Sequence, residues 1–327
     1  TWSNTLRYDW DLNANNQFKF LVGSEYIKTD LDFQFTKKEG FALQSEDYFT
    51  LNAGTGNTTV SGGSTGSRLF SQFARVDYNF SDKYLAAVTV RRDGSSRFGA
   101  NNRWGTFPSV GAGWVVSDEA FMYDLPAVTF LKLRGSWGII GNNNLGNYTS
   151  YALINNTVNG VFGNTVATGA AVSSLANPNL GWETTTQLDL GFDLNMYNDR
   201  INFAYDYYTK NTTNLLYAVQ IAQESGFGNF NDNIGEIKFW GHEFSVNTKN
   251  TVGKVKWTTN ANISFNRNVV VALAPCIDRV YGSFHITKVG QPFGQFYGVI
   301  ADGVYKNAAD LASSPKVPGR STVGSIK

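Results

Sequence analysis

The residues that could do chemistry in this chain are few and widely separated. The two histidines, His242 and His285, have no cysteine or carboxylate neighbours at zinc-site spacing, so we interpret them as hydrogen-bonded surface or lumen residues. The single cysteine, Cys276, follows a proline, and we interpret it as a loop residue rather than a reactive thiol. The sequence therefore predicts no catalytic set, no metal site and no cofactor.

Two segments resemble ligand-binding loops but lack a required residue. Residues 229–233 carry the polar side chains of a calcium loop, yet Ile234 stands where glycine is needed. Residues 54–66 are rich in glycine, but they lack the lysine and hydroxyl residue that end a phosphate-binding loop. Both segments are predicted to be polar or flexible loops.

Aromatic side chains in predicted loops are the candidates for binding a substrate. Such a ring stacks on the face of a sugar, while Asn and Gln side chains bond the sugar hydroxyls. The alternative interpretation is that each ring packs its own loop. The candidate substrate-binding residues are Trp104, Tyr148, Tyr151, Phe227 and Phe230.

An arginine cluster surrounds Asp93 and comprises Arg91, Arg92, Arg97 and Arg103. Planar guanidinium groups with several donors could contact a plug or a substrate. The other interpretation, which we favour, is a salt-bridged hairpin end that orders its own loop.

The elements that must position these residues are predicted from residues 182–209, where apolar and polar side chains alternate. One face holds Leu188, Leu190 and Phe192, and the other holds Gln187 and Asp189. A period of two is the pleat of a β-strand, and a tilted strand needs about 9–11 residues to cross a bilayer. The pattern predicts an apolar face toward lipid, a wet lumen lined by carboxylates, and aromatic residues at the ends, including Trp182, Tyr197, Tyr205 and Tyr207.

Composition supports an all-β, antiparallel transmembrane β-barrel. The 327 residues include 33 glycines and 15% aromatic residues, a mixture that favours strands and tight turns. No apolar run approaches the roughly 18 residues of a membrane-spanning helix, so a membrane protein with this sequence must be a barrel. The 27 basic and 26 acidic residues balance, which argues against a nucleic-acid partner.

The alternation predicts about ten strands joined by short and long connections in turn. That regularity is typical of transmembrane barrels, with short periplasmic turns and long outer loops. Because exposed sheet edges are avoided, we expect more strands before Thr1 and after Lys327, and so an internal fragment. A short helix is expected at 117–121 with Ser117 as its N-cap, a loop at 94–105, and long loops at 30–67, 141–181 and 210–235. The predicted strands are 5–12, 17–29, 68–80, 83–93, 106–117, 130–140, the pair in 182–209, 237–250, 254–267 and one near 293–300.

Four motifs in order give a resemblance to a known family. The sequence closely resembles the SusC/RagA family of TonB-linked outer-membrane transporters of Bacteroidetes, while residues 1–67 match mainly by pattern. The motifs lie at residues 91–99 with 102–110, at 131–138 with 141–142, at 177–185, and at 289–303.

The resemblance implies a barrel of about 22 strands, of which residues 1–327 supply a part. It implies an outer-membrane importer of oligosaccharides, or in some members peptides, and not an enzyme. It also implies a plug and TonB box outside this chain, the TonB complex as energy source, and a SusD-like lipoprotein as partner. Two alternatives stay open at this point: a diffusive porin or adhesin barrel, and a soluble all-β carbohydrate-binding or hydrolytic domain.

Overall fold

The computed structural model describes residues 1–43, 45–275, 277–282, 284–298, 300–316 and 321–327. Cys276, interpreted above as a loop residue, lies outside them. The described residues contain seventeen strands. In chain order these are β1 (Trp2–Asn13), β2 (Asn16–Lys38), β3 (Thr58–Phe80), β4 (Tyr84–Ser95), β5 (Trp104–Val115), β6 (Val128–Asn142), β7 (Ile154–Phe162), β8 (Thr165–Val172), β9 (Glu183–Met196), β10 (Ile201–Thr213), β11 (Leu216–Gln220), β12 (Asn229–Asn233), β13 (Glu236–Val252), β14 (Lys256–Ala272), β15 (Arg279–Tyr281), β16 (His285–Lys288) and β17 (Gln295–Phe296).

Ten of these strands form one antiparallel sheet, which confirms the all-β prediction and its strand count. Their order is β1-β2-β3-β4-β5-β6-β9-β10-β13-β14, so each strand lies beside the next spanning strand of the chain. The first and last strands of the sheet do not pair with each other, and within the described residues the barrel is open. The other strands form small sheets in the connections: β7-β8, β11-β12 and β15-β16-β17.

The pairing register separates the side chains of the large sheet into two continuous faces. Residues directly opposite each other in neighbouring strands point to the same side. The apolar face includes a row in which Val88, Val110, Trp137 and Leu188 lie opposite one another in turn. The polar face includes the adjoining row that runs from Asp77 through β4, β5 and β6 to Asp189. Leu190 and Gln187 therefore lie on opposite faces, as the sequence predicts.

The two ends of the sheet differ in the length of their connections. At the short-turn end, 14–15, 81–83, 116–127, 197–200 and 253–255 join consecutive strands, and at the long-loop end 39–57, 96–103, 143–182 and 214–235 do so. Two of the tight turns use left-handed backbone, with φ of 52° at Ser81 and 57° at Asn198. Such turns match the right-handed twist of paired strands. The predicted alternation of short and long connections holds for the other pairs, but the connection at 116–127 is longer than the one at 96–103.

The long loop predicted at 30–67 is wrong over most of its length. β2 continues to Lys38 and β3 begins at Thr58, and the two pair throughout, from Asp30 opposite Gly66 to Lys38 opposite Thr58. Apolar and polar residues still alternate there, but Leu31, Phe33 and Phe35 lie on the face that is polar lower in the sheet. The glycines of β3 hid the matching strand, because glycine is usually unfavourable in strands. The connection shrinks to residues 39–57.

Four other sequence predictions also need correction. The loops at 141–181 and 210–235 contain the hairpins β7-β8 and β11-β12, and the strand expected near 293–300 shrinks to β17. The helix at 117–121 is replaced by two 3₁₀ turns, Val116–Asp118 and Ala120–Met122, neither with a side-chain cap. Between them, the Glu119 carboxylate accepts hydrogen bonds from Tyr84 at 2.7 Å and Trp114 at 3.2 Å, which ties the turn to the sheet.

The remaining helices are short. The single α-helix of the described residues is α1 (Ala308–Ser313), and its N-cap is Asn307, whose side chain accepts a hydrogen bond from the Asp310 N–H. Further 3₁₀ turns lie at Glu46–Tyr48 and Gln223–Ser225. None of the helices in the described part of the chain combines the length and apolarity needed to cross a bilayer.

Candidate functional site

The polar face carries ion pairs whose members are two residues apart on one strand. Since side chains at i and i+2 share a face, such pairs form within a strand without bending it. Arg7 meets Asp9 at 2.9 Å on β1, and Arg75 meets Asp77 at 2.6 Å on β3. On β4, Arg91 meets Asp93 at 2.8 Å. The polar face is therefore charged but locally neutralised, as expected for a surface in contact with water.

Arg134 on β6 is the centre of a larger group that spans three strands. Its Nε donates to Asp193 on β9 at 3.1 Å, and its Nη2 donates to Asp206 on β10 at 2.8 Å. Gly191 lies between these partners, and a Cβ there would meet the Asp206 carboxylate at 2.4 Å. The absence of a side chain at Gly191 is what lets one guanidinium hold two carboxylates.

Small residues on β4 and β5 leave a shallow groove between these charged groups. Ala87, Gly111 and Gly113 form its floor, and Arg75 and Arg134 lie on its two sides, enclosing a volume of about 740 Å³. The groove offers room for a polypeptide or solvent against the wall, and nothing in it has the arrangement of a catalytic centre.

At the long-loop end, two segments are joined by hydrogen bonds between their backbones. Gly99 N–H donates to Leu180 O at 2.8 Å, and Asn101 N–H donates to Pro178 O at 3.1 Å. A Cβ at Gly99 would lie 2.2 Å from Pro178 O, so only glycine permits this approach. Phe98 and Leu180 are fully buried beside it. We call residues 96–103 and 177–182 the rim clasp.

Trp182 belongs to the rim clasp and not to an aromatic girdle facing lipid, which corrects the sequence prediction. Its ring packs against Phe98 at 4.8 Å and Phe107 at 5.2 Å between centroids, and its indole N–H donates to Arg103 O at 3.1 Å. Phe107 fills the space over Gly141, where a Cβ would meet the ring at 2.0 Å. The alternation of β9 begins at Glu183, one residue later, so it does not fix the direction of Trp182.

The arginine cluster orders the rim clasp, which is the interpretation favoured from the sequence. Arg97 donates to Asn147 Oδ1 at 3.0 Å and to Asn143 O at 3.1 Å, so it ties the clasp to the next loop. Arg103 donates to the Tyr151 hydroxyl at 3.0 Å. Arg91 pairs with Asp93 and Glu25, and Arg92 stacks on Trp104 at 4.9 Å. All four guanidinium groups thus have partners within the chain.

The structure places the five aromatic candidates in three locations. Tyr148 and Tyr151 share one turn in which the Tyr151 N–H donates to Tyr148 O at 2.9 Å, and both are exposed. Phe227 and Phe230 are half-buried in the β11–β12 hairpin, where Phe230 lies opposite Val219. Trp104 begins β5 on the apolar face of the sheet.

Asn177 links the turn that carries Tyr148 and Tyr151 to the β11–β12 hairpin, and the sequence analysis did not identify it as a bridging residue. It is 5% exposed, its N–H donates to Ser150 O at 3.0 Å, and its amide donates to Asn231 O at 2.9 Å. It therefore holds the Tyr148–Tyr151 turn next to the β11–β12 hairpin. The Asn-Pro pair at 177–178 signals a turn, but no local pattern reveals a bridge to a residue more than fifty positions away.

Comparison with known proteins agrees with this architecture. A family model described as TonB dependent receptor-like, beta-barrel matches residues 1–322. The chain is 41% identical over 260 residues to TonB-dependent receptor P39 of Formosa agariphila, covering 79% of this chain and 24% of that protein. It is 38% identical over 223 residues to TonB-dependent receptor SusC of Bacteroides thetaiotaomicron, covering 66% of this chain and 22% of that protein.

A solved structure shows the same arrangement of strands. The RagAB peptide importer in its open-open state superimposes with a TM-score of 0.81 and 28% identity, over 93% of this chain and 33% of the matched chain. The chain thus spans about a quarter to a third of the length of the proteins it matches. The family consists of transport receptors, not enzymes. The chain belongs to the TonB-dependent receptor family, as part of its outer-membrane β-barrel.

Proposed function

We propose that the intact protein is an outer-membrane nutrient importer of the SusC type. It takes up oligosaccharides, or peptides, together with a SusD-like surface lipoprotein, and it draws energy from the TonB complex. Residues 1–327 form one part of the barrel domain, and the plug and TonB box come from other parts of the intact protein. The ten-stranded sheet contributes part of the barrel wall, and the long loops contribute part of an outer vestibule. The chain makes or breaks no covalent bond.

The observation that carries this proposal is the contrast between the two faces of the ten-stranded sheet. Charged pairs such as Arg75–Asp77 and the Arg134 group occupy the middle of the polar face. The apolar face at the same depth presents Val88, Leu190 and similar side chains, with Leu190 49% exposed. A sheet that is apolar toward lipid and polar toward a lumen is the wall of a transmembrane passage.

The long loop between β6 and β9 favours an uncharged substrate. Residues 135–182, which contain the long loop between β6 and β9, include no Asp, Glu, Lys or Arg. Tyr148 and Tyr151 lie in this segment, and Asn177 holds it against the hairpin that carries Phe227 and Phe230. Rings and amides without net charge suit the stacking and hydroxyl bonding of a neutral sugar.

We propose that these four aromatic residues face the substrate. Trp104 is a fifth predicted substrate contact, but we do not include it in this proposal. Its ring packs edge-on against Phe70 at 6.2 Å and under Arg92 on the apolar face. That position supports a place at the membrane boundary, where tryptophan is enriched.

Uptake by living cells tests the proposal. Strains with and without the intact gene are supplied with labelled neutral oligosaccharides, charged oligosaccharides and peptides, with and without an active TonB system. We expect gene-dependent uptake of the neutral oligosaccharides that stops when TonB is inactivated.

The same experiment separates the two alternatives. Uptake that continues without TonB would indicate a diffusive porin and would refute energised import. Recovery of the intact protein in the soluble fraction without detergent would favour a soluble carbohydrate-binding domain. Gene-dependent uptake of peptides alone would retain the importer and reject the sugar as substrate.

A further inference from the structure

Charge on the apolar face is confined to one end of the sheet. Among the described residues, the side chains of this face are uncharged from the short-turn end through the middle of every strand. Charged residues begin only near the long loops. Two of them, Lys28 and Arg68, share Asp30 at 2.9 Å and 2.7 Å, and Arg92 stacks on Trp104.

Lys238 on β13 and Arg267 on β14 differ from these, because neither forms an ion pair with a carboxylate in the described part of the chain. Both are exposed. Arg267 donates one hydrogen bond, to the backbone oxygen of Asn266 at 3.0 Å. The neighbouring carboxylate of this face, Glu236, accepts a hydrogen bond from the Asn211 amide at 2.8 Å instead.

The register brings the two cations close together. Arg267 lies opposite Trp240, and Lys238 lies opposite Val269, so the cations are diagonal neighbours across the β13–β14 pair. Diagonal Cβ atoms are about 7–8 Å apart, a gap that long side chains close easily. One phosphate group can therefore contact both, with Arg supplying a two-pronged donor and Lys a point charge.

Their height on the strand matches the edge of the hydrocarbon layer. Lys238 is ten residues from Thr248, which begins the apolar run of β13 near the short turn. At about 3.4 Å per residue and a tilt of about 40°, ten residues rise about 26 Å, close to the ~25 Å apolar band of a barrel. Trp240 beside them is a residue type enriched at that boundary. Since the long loops face outside, this is the boundary of the outer leaflet.

We propose that Lys238 and Arg267 bind the phosphate of a lipid headgroup in the outer leaflet, against the outer wall of the barrel. The headgroup phosphate sits between the two cations, and its acyl chains lie along Phe244 and Phe265 of the apolar face below. The site is distinct from the substrate vestibule and does not depend on what the protein transports.

The test uses the intact protein in nanodiscs and phosphatidic acid as the probe, because its headgroup is a bare phosphate. Diacylglycerol is the matched lipid without phosphate, and bound lipid is counted by native mass spectrometry. Each basic residue near an anionic lipid contributes a factor of about five in affinity, so Lys238→Gln with Arg267→Gln is expected to weaken retention about 25-fold. The charge-preserving pair Lys238→Arg with Arg267→Lys is expected to retain the lipid.

Lys249→Gln with Lys256→Gln is the control for loss of charge alone, because it removes two cations from the same two strands at the short-turn end, where both lie on the polar face. Its lipid retention should equal that of the unmodified protein. The shift in electrophoretic mobility on heating verifies that every variant is folded. The proposal is overturned by equal retention in the Lys238/Arg267 glutamine variant, by equal retention of diacylglycerol, or by displacement of the lipid with inorganic phosphate at the same concentration.

Discussion

Substituting arginine at Leu190 and at Gln187 compares the two faces of one strand. Both positions lie within β9, three residues apart. Leu190 is opposite Gly135 and Tyr207 on the apolar face, so an arginine there enters the hydrocarbon. Gln187 is on the polar face, where its amide donates to Asp189 at 2.8 Å.

The expected magnitudes differ clearly. A cation on the lipid face near the bilayer midplane costs about 2–4 kcal/mol, which lowers the folded-to-unfolded ratio by a factor of roughly 30 to 1,000. At position 187, a new arginine is attracted by Asp189 and repelled by Lys210 across the strand pair, and the two effects largely cancel. We expect Gln187→Arg to change the free energy of unfolding by no more than about 0.5 kcal/mol.

The assay is reversible urea unfolding of the intact protein in lipid vesicles, followed by tryptophan fluorescence and by the heat-dependent mobility of the folded barrel. Leu190→Arg should unfold at clearly lower urea than Gln187→Arg, which should follow the unmodified protein. Equal unfolding midpoints for the two variants would refute the assignment of faces, since the same charge would then meet the same environment on both.

Three further predictions concern the polar face and the rim clasp. Gly191→Ala should lower the free energy of unfolding by about 1–3 kcal/mol, because its Cβ would lie 2.4 Å from the Asp206 carboxylate, whereas Gly111→Ala, with no neighbour nearer than 3.8 Å, should be almost neutral in the same urea assay. Arg134→Gln should cost about 1 kcal/mol at low salt and less at high salt, since the group is partly exposed; a loss that does not depend on salt would contradict an ionic role. Asn177→Ala should speed hydrogen exchange in β12 and leave β9 protected, and unchanged exchange in β12 would show that Asn177 is not the bridge.

The faces, the turns and the strand count follow from the sequence because each depends on local alternation. In 182–209 the period of two assigns Leu190 and Gln187 to opposite sides, and pairing in the sheet preserves that assignment. Short polar turns such as the one at Ser81 are recognised from two or three residues. These features need no knowledge of distant parts of the chain.

The rim clasp was not predictable in the same way, because it depends on contacts between segments far apart in the chain. Gly99 meets Pro178, and Trp182 turns toward Phe98 rather than toward lipid, through packing that no periodicity encodes. The hydrogen bonds of Arg134 also join three strands, so predicting them would have required the pairing register of those strands. The first part of β3 was not predicted for a different reason. Its glycines have little strand propensity, and pairing with β2 orders them.

The central claim is that lipid contacts one side of this sheet and water the other. Single spin labels placed along β9 in the intact protein, with Cys276→Ser as background and other cysteines removed, measure this directly. Collision rates with oxygen, which concentrates in lipid, and with a water-soluble nickel complex are compared at Leu188, Leu190 and Phe192 and at Gln187 and Asp189. The account predicts strict alternation, with oxygen contact at the first three positions and nickel contact at the other two. Protection of the leucines from both reagents, as in the core between two packed sheets, would contradict it.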